Sequence, residues 1–136
     1  MIQAILGKKG SGKTKRIIDM ANDALKTEHG AVVFIDDDDR YMYDLRHEVR
    51  FVNATEYKIK SSDMFLGFLC GMLAQNFDIT MIFVDAFVRL VKDNLSDMES
   101  FFERLDVLSA EHKVDFILSV SGDPEGMPAF VTKYSV

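Results

Sequence analysis

The chain has 136 residues, 48% of them hydrophobic and 28% charged, with a formal net charge of −6. That is the make-up of one soluble globular domain spanning residues 1–136, and its negative balance argues against nonspecific binding along nucleic-acid phosphates. A lone cysteine, Cys70, excludes an internal disulfide and suits a reducing cytoplasm.

The first predicted element is an apolar strand, Ile2 to Leu6. It runs straight into a glycine-rich loop, so no secretory leader is expected. That loop, Gly7-Lys8-Lys9-Gly10-Ser11-Gly12-Lys13-Thr14, matches the phosphate-binding pattern G-x-x-x-x-G-K-[ST]. A helix follows, with Ile17, Ile18, Ala21, Ala24 and Leu25 on one face. The glycines let successive N–H groups turn into one concave nest, and the new helix begins at that nest with its positive dipole end. Lys13 then suits the β- and γ-phosphates of a nucleotide, and the Thr14 hydroxyl suits Mg²⁺. The first 16 residues hold five of the sixteen Lys and Arg and no acid, a basic island in an acidic chain. On these grounds Gly7 through Lys15 are the candidate nucleotide-binding residues: Gly7, Lys8, Lys9, Gly10, Ser11, Gly12, Lys13, Thr14 and Lys15.

Glu28-His29-Gly30 reads as the end of that helix, with Gly30 as a left-handed cap. Ala31 to Ile35 is an unbroken apolar run, as expected of a parallel strand covered on both faces, and it stops at four aspartates, Asp36 to Asp39. Ligands of open α/β sheets sit beyond the carboxyl ends of strands, so these acids fall on the functional edge. They could also form a solvated loop or attract a cation.

Arg40 to His47 reads as a short helix or turn and Arg50 to Asn53 as a weak strand. Ser61-Ser62-Asp63 is a helix cap before Asp63 to Phe77. The apolar residues of that helix spread nearly all round, which predicts deep burial or a face against another subunit. Its uncharged stretch of 11 residues from Met64 to Ala74 is far short of the ~20 needed to cross a bilayer.

Ile79 to Val84 is an apolar strand ending in Asp85, the pattern of a carboxylate that holds a Mg²⁺ shell opposite Thr14. Arg89, four residues on, reads as a surface arginine, with a phosphate contact in its own or a neighbouring subunit as the alternative. Ser96-Asp97-Met98-Glu99 has the form of a capping box before a helix. Val114 to Val120 is another strand, and Phe130 to Val136 a final one. The alternation gives a three-layer α/β domain, a mostly parallel sheet with helices on both faces.

With these residues in place the chain resembles the core of the RecA-like ATPases. The resemblance implies a RecA-like P-loop fold, ATP or another NTP as ligand, and Mg²⁺ as its companion ion. In that family an acid near the end of the second core strand positions the attacking water; Asp38 is the nearest match, with Asp37 and Asp39 beside it. The strand end at Ser119 and Ser121 falls where the family carries a polar γ-phosphate sensor, making Ser121 a further nucleotide-binding candidate. Ala86 after Asp85 also fits the family's small residue there. The long DNA-binding loops of the recombinases have no room between Asp85 and Val114, so strand exchange is not expected. Thymidine-kinase-like enzymes share the layout but typically carry Glu where this chain has Ala86.

The implied function is a cytoplasmic ATP-binding protein with weak or partner-stimulated NTPase activity. Lys13 and Asp38 would act in catalysis, and Thr14 and Asp85 would hold the metal. A regulatory or assembly module that binds nucleotide without hydrolysing it is the alternative, with a protein partner or a homo-oligomer as its output. A small-molecule kinase is a third, for which the chain leaves little length for a lid and an acceptor pocket.

Overall fold

The computed structural model describes residues 1–136. Five parallel strands form one sheet: β1 (Ile2–Gly7), β2 (Ala31–Asp36), β3 (Arg50–Asn53), β4 (Ile79–Val84) and β5 (Asp115–Ser121). Their spatial order is β1-β5-β4-β2-β3, so β5 lies between the strand that enters the glycine loop and the strand that ends at Asp85. The unbroken apolar runs follow from burial on both sides. In β2, Val32 and Phe34 join one core while Val33 and Ile35 join the other.

One side of the sheet is covered by α1 (Lys13–Ala24), which sets Ile17, Ile18 and Ala21 against it. The other side carries α2 (Ser62–Gln75), α3 (Phe87–Val91), α4 (Glu99–His112) and α5 (Ala129–Thr132). The expected RecA-like α/β arrangement, helices on both faces of a parallel sheet, is therefore the one observed, and here the sheet is wholly parallel. No helix is long and apolar enough to cross a membrane.

Four local expectations need correction. Helix α1 stops at Ala24, whose carbonyl takes the N–H groups of Thr27 and Glu28, and Gly30 is not left-handed. Gly30 is needed for a close approach instead: a Cβ there would lie 2.3 Å from the Asp78 carbonyl, the oxygen that accepts the Ala31 N–H. The capping box does not form. Leu95–Asp97 is a 3₁₀ turn, and buried Met98 takes the cap position of α4 without a side-chain bond.

The final strand is mostly a helical turn, α5. Phe130 and Tyr134, at helical spacing, both rest on Phe102, with ring centroids 5.8 and 6.1 Å away. Only a single bridge, Ala4 with Ser135, remains of the expected strand, and it covers the β1 edge. Finally, α2 is buried on one stripe only, through Phe65, Leu66, Leu69 and Leu73. Met64, Gly67, Cys70, Gly71 and Ala74 face outward without a charge among them.

Candidate phosphate-binding site

The site is built where the strands end. From Gly7 the chain doubles back through residues 8–12 into α1, with Gly10 at φ 82° and Gly12 at φ 89°. A side chain at Gly12 would meet no neighbour, so the requirement there is backbone conformation alone. Gly12 occupies the cap position of α1 with no side chain bonded over the first turn, which also holds no acid. The N–H groups of that turn thus face the loop, the arrangement that attracts anions.

Lys13 is buried, at 8% exposure, and its ammonium donates to the Lys8 carbonyl at 2.9 Å and to Ser11 Oγ at 3.4 Å. Both partners are neutral, and Lys13 forms no ion pair. Burial lowers its pKa, and the charge of Asp85 offsets part of that fall.

Three strands contribute a single row of polar groups beside the loop. Phe34, Phe83 and Ile117 are register partners across β2, β4 and β5, all in the core under α1, and the two phenylalanine rings stack at 6.4 Å. Because side chains repeat every two residues along a strand, the next row on the same face is Asp36, Asp85 and Ser119. All three are buried. The Asp85 carboxylate accepts from Ser119 Oγ on one oxygen and from Thr14 Oγ1, at 3.1 Å, on the other. The two residues expected to hold a metal are thereby brought together as adjacent oxygen donors, the type that Mg²⁺ takes.

Asp36 is the member that sequence reasoning left without a role. One carboxylate oxygen accepts the Asp37 N–H at 2.7 Å, and the other is buried without a partner. Burial, then the adjoining Asp37 side chain, and the nearby charge of Asp85 push its pKa up to about 8, although the Asp37 N–H that it accepts works in the opposite direction. The signal that would have found it is the strand period: Asp36 stands two residues past Phe34 as Asp85 stands two past Phe83. Ser119, named with Ser121 as a strand-end candidate, turns to Asp85 and does not line the cavity, a contact that depends on β5 neighbouring β4.

A cavity of about 370 Å³ opens beside the loop. Lys9, Gly10, Gly12, Lys13 and Thr14 form one wall; Asp85, Ala86 and Ser121 lie opposite, and Arg40, Tyr41 and Arg89 complete it. Ser121 is set there by pairing with Gly7 across β1 and β5. Asp38 does not line this cavity: its carboxylate holds Arg40 through the guanidinium at 3.1 Å and through the Arg40 N–H at 2.9 Å. Lys15 turns away to Asp19, at 2.8 Å along the helix, while Lys8 contributes its carbonyl to Lys13. A larger groove of about 430 Å³ between α2 and α4 includes no residue of the loop, and the one cation in its lining, Arg104, stands with Glu103 and Glu111.

Fold and site together define the chain as an α/β protein of RecA-like architecture with a glycine-rich loop and a buried polar row at the carboxyl edge of its parallel sheet. Among solved structures it is similar to the flagellar accessory protein FlaH from Methanocaldococcus jannaschii, with a TM-score of 0.58 and 17% sequence identity. The match covers 97% of this chain and 65% of FlaH, so the chain spans just under two thirds of that protein's length. No protein-family model and no curated protein sequence matches it.

Proposed function

We propose that this chain binds a magnesium–nucleoside triphosphate, ATP in the first instance, and turns it over slowly unless a partner assists. The observation that carries the proposal is Lys13: a buried ammonium with only neutral partners, at the mouth of a glycine nest and a helix N-terminus. A buried cation is costly unless an anion compensates it, and a polyphosphate is the anion that this donor set fits. Gly7 to Thr14 would hold the phosphates, and Ser121 would contact the terminal one. Thr14 and Asp85 would hold Mg²⁺, which neutralises charge on the phosphate oxygens when bound.

Hydrolysis needs mainly positioning of a water and neutralisation of charge. Asp38 takes the water-positioning role on this reading, and its engagement by Arg40 gives a physical reason for slow basal turnover. The same contact favours a second reading, a nucleotide-dependent module that scarcely hydrolyses and signals through a partner or through its own assembly. The description of FlaH as an accessory protein is in keeping with that alternative.

The test is calorimetry with Mg–ATP followed by phosphate release. Lys13→Ala should cost about 1.5–3 kcal/mol of binding, the range for lost charged hydrogen bonds, roughly a ten- to hundredfold weaker Kd. Steady turnover that disappears in Asp38→Asn supports the hydrolase reading; tight binding with negligible turnover supports the module. Lack of heat with any magnesium–nucleoside triphosphate defeats both.

A further inference from the structure

The most strongly held ion pair at the site joins two elements far apart in sequence. Arg89 donates from Nε to one Asp37 oxygen at 2.5 Å and from Nη2 to the other at 2.9 Å, a two-pronged fork on a single carboxylate. Asp37 lies just beyond β2, and its side chain is 15% exposed; Arg89 is half-exposed on α3 and lines the cavity beside Lys13 and Thr14. Burial raises the Asp37 pKa, but hydrogen bonds from Arg89, with the linked Asp36, outweigh it and leave that carboxyl below its ordinary value. Both charges are therefore present, and the Arg89 side chain spends its hydrogen bonds on Asp37.

A guanidinium fork fits two oxygens of a phosphoryl group as well as it fits a carboxylate, so a terminal phosphate and Asp37 would compete for the same donors. The backbone under Arg89 is pinned: Phe87, Leu90 and Val91 of the same short helix are all buried. A change of partner is then a side-chain movement. The other arginine of the cavity is less suited. Arg40 pairs with Asp38 two residues away on the same loop, and its guanidinium sits 5.2 Å from the Tyr41 ring centroid.

We propose that Arg89 is the residue by which this site distinguishes a nucleoside triphosphate from a diphosphate, with Asp37 as the internal competitor that holds its guanidinium until a terminal phosphate takes it over. The inference rests on the nucleotide reading given above and adds a specificity determinant to it. Asp37 sets the threshold: a ligand without a terminal phosphate leaves the pair intact, and one that has it must displace a carboxylate to gain the fork.

The experiment is calorimetric titration of the full chain with the Mg²⁺ complexes of a non-hydrolysable ATP analogue and of ADP. It compares wild type, Arg89→Gln, Arg89→Lys and Asp37→Asn, each first checked for an intact thermal transition. Arg89→Gln should weaken the triphosphate about tenfold or more while ADP stays within about twofold. Arg89→Lys, which keeps the charge but not the fork, should recover only part of that loss. Asp37→Asn should shift the other way and tighten the triphosphate by about three- to tenfold. If wild type binds both nucleotides and the two glutamine and asparagine variants leave their affinity ratio unchanged, the inference is overturned and the nucleotide reading stands. If wild type binds neither, both fall together.

Discussion

The two faces of the sheet differ in thickness and in task. Under α2, α3, α4 and α5 lies a core of 26 buried residues, including Phe65, Phe87, Phe101 and Phe102 in mutual ring contact, with centroids 5.3–6.3 Å apart. Under α1 lies a core of 11, and the polar row Asp36, Asp85 and Ser119 continues that same face. Stability is concentrated on the thick side and candidate chemistry on the thin side. A buried carboxyl group with an unpartnered oxygen is destabilising in itself, so the aromatic layer supplies the reserve that lets Asp36 persist.

Phe102→Ala should separate the two faces most sharply. Truncating a fully enclosed aromatic side chain costs about 3–5 kcal/mol, read as a lower urea midpoint, and the protein that remains folded should keep its Mg–ATP affinity. A fall in affinity matching the fall in stability would show that the faces are not separable.

Asp36→Asn probes the thin side through pH. The folded-state pKa of about 8 lies above the ordinary 3.8, so between those values the folded chain retains a proton that the unfolded chain releases. Stability of the wild type in metal-free buffer should decline as pH rises through that window and level off above it; the asparagine variant should lack this decline. Identical pH profiles for the two proteins would mean that Asp36 is not the strained group.

The smallest expected effect is Ile17→Val, in the seam between α1 and the sheet. It should cost about 0.5–1.5 kcal/mol of stability. Because α1 carries Lys13 and Thr14, it should also weaken Mg–ATP binding, which the larger Phe102 lesion should leave alone. If Ile17→Val lowers stability with affinity intact, α1 does not transmit its packing to the cradle.

Much of this was legible along the chain. Five strands, the turn at Gly7 to Thr14, and the aspartates at two strand ends follow from local rules: apolar run length, glycine spacing and the two-residue strand period. The misreadings at Gly30, at Ser96 to Glu99 and at Phe130 to Val136 share one cause. Each segment carries an acceptable local signal that a distant contact overrides: the Asp78 carbonyl, the burial of Met98, and the Phe102 ring.

What the amino-acid sequence determined by itself is therefore the set of parts, namely the glycine-rich loop, the apolar strands and the acids that follow them. Tertiary structure alone decided which parts meet. The order β1-β5-β4-β2-β3 sets Ser119 and Asp36 on either side of Asp85, and the fold of α3 back onto the site brings the half-exposed Arg89 to Asp37. The physical reason is that backbone preference and periodicity act over a few residues. Strand neighbours and ion-pair partners are chosen by burial and hydrogen-bond satisfaction summed over the whole core.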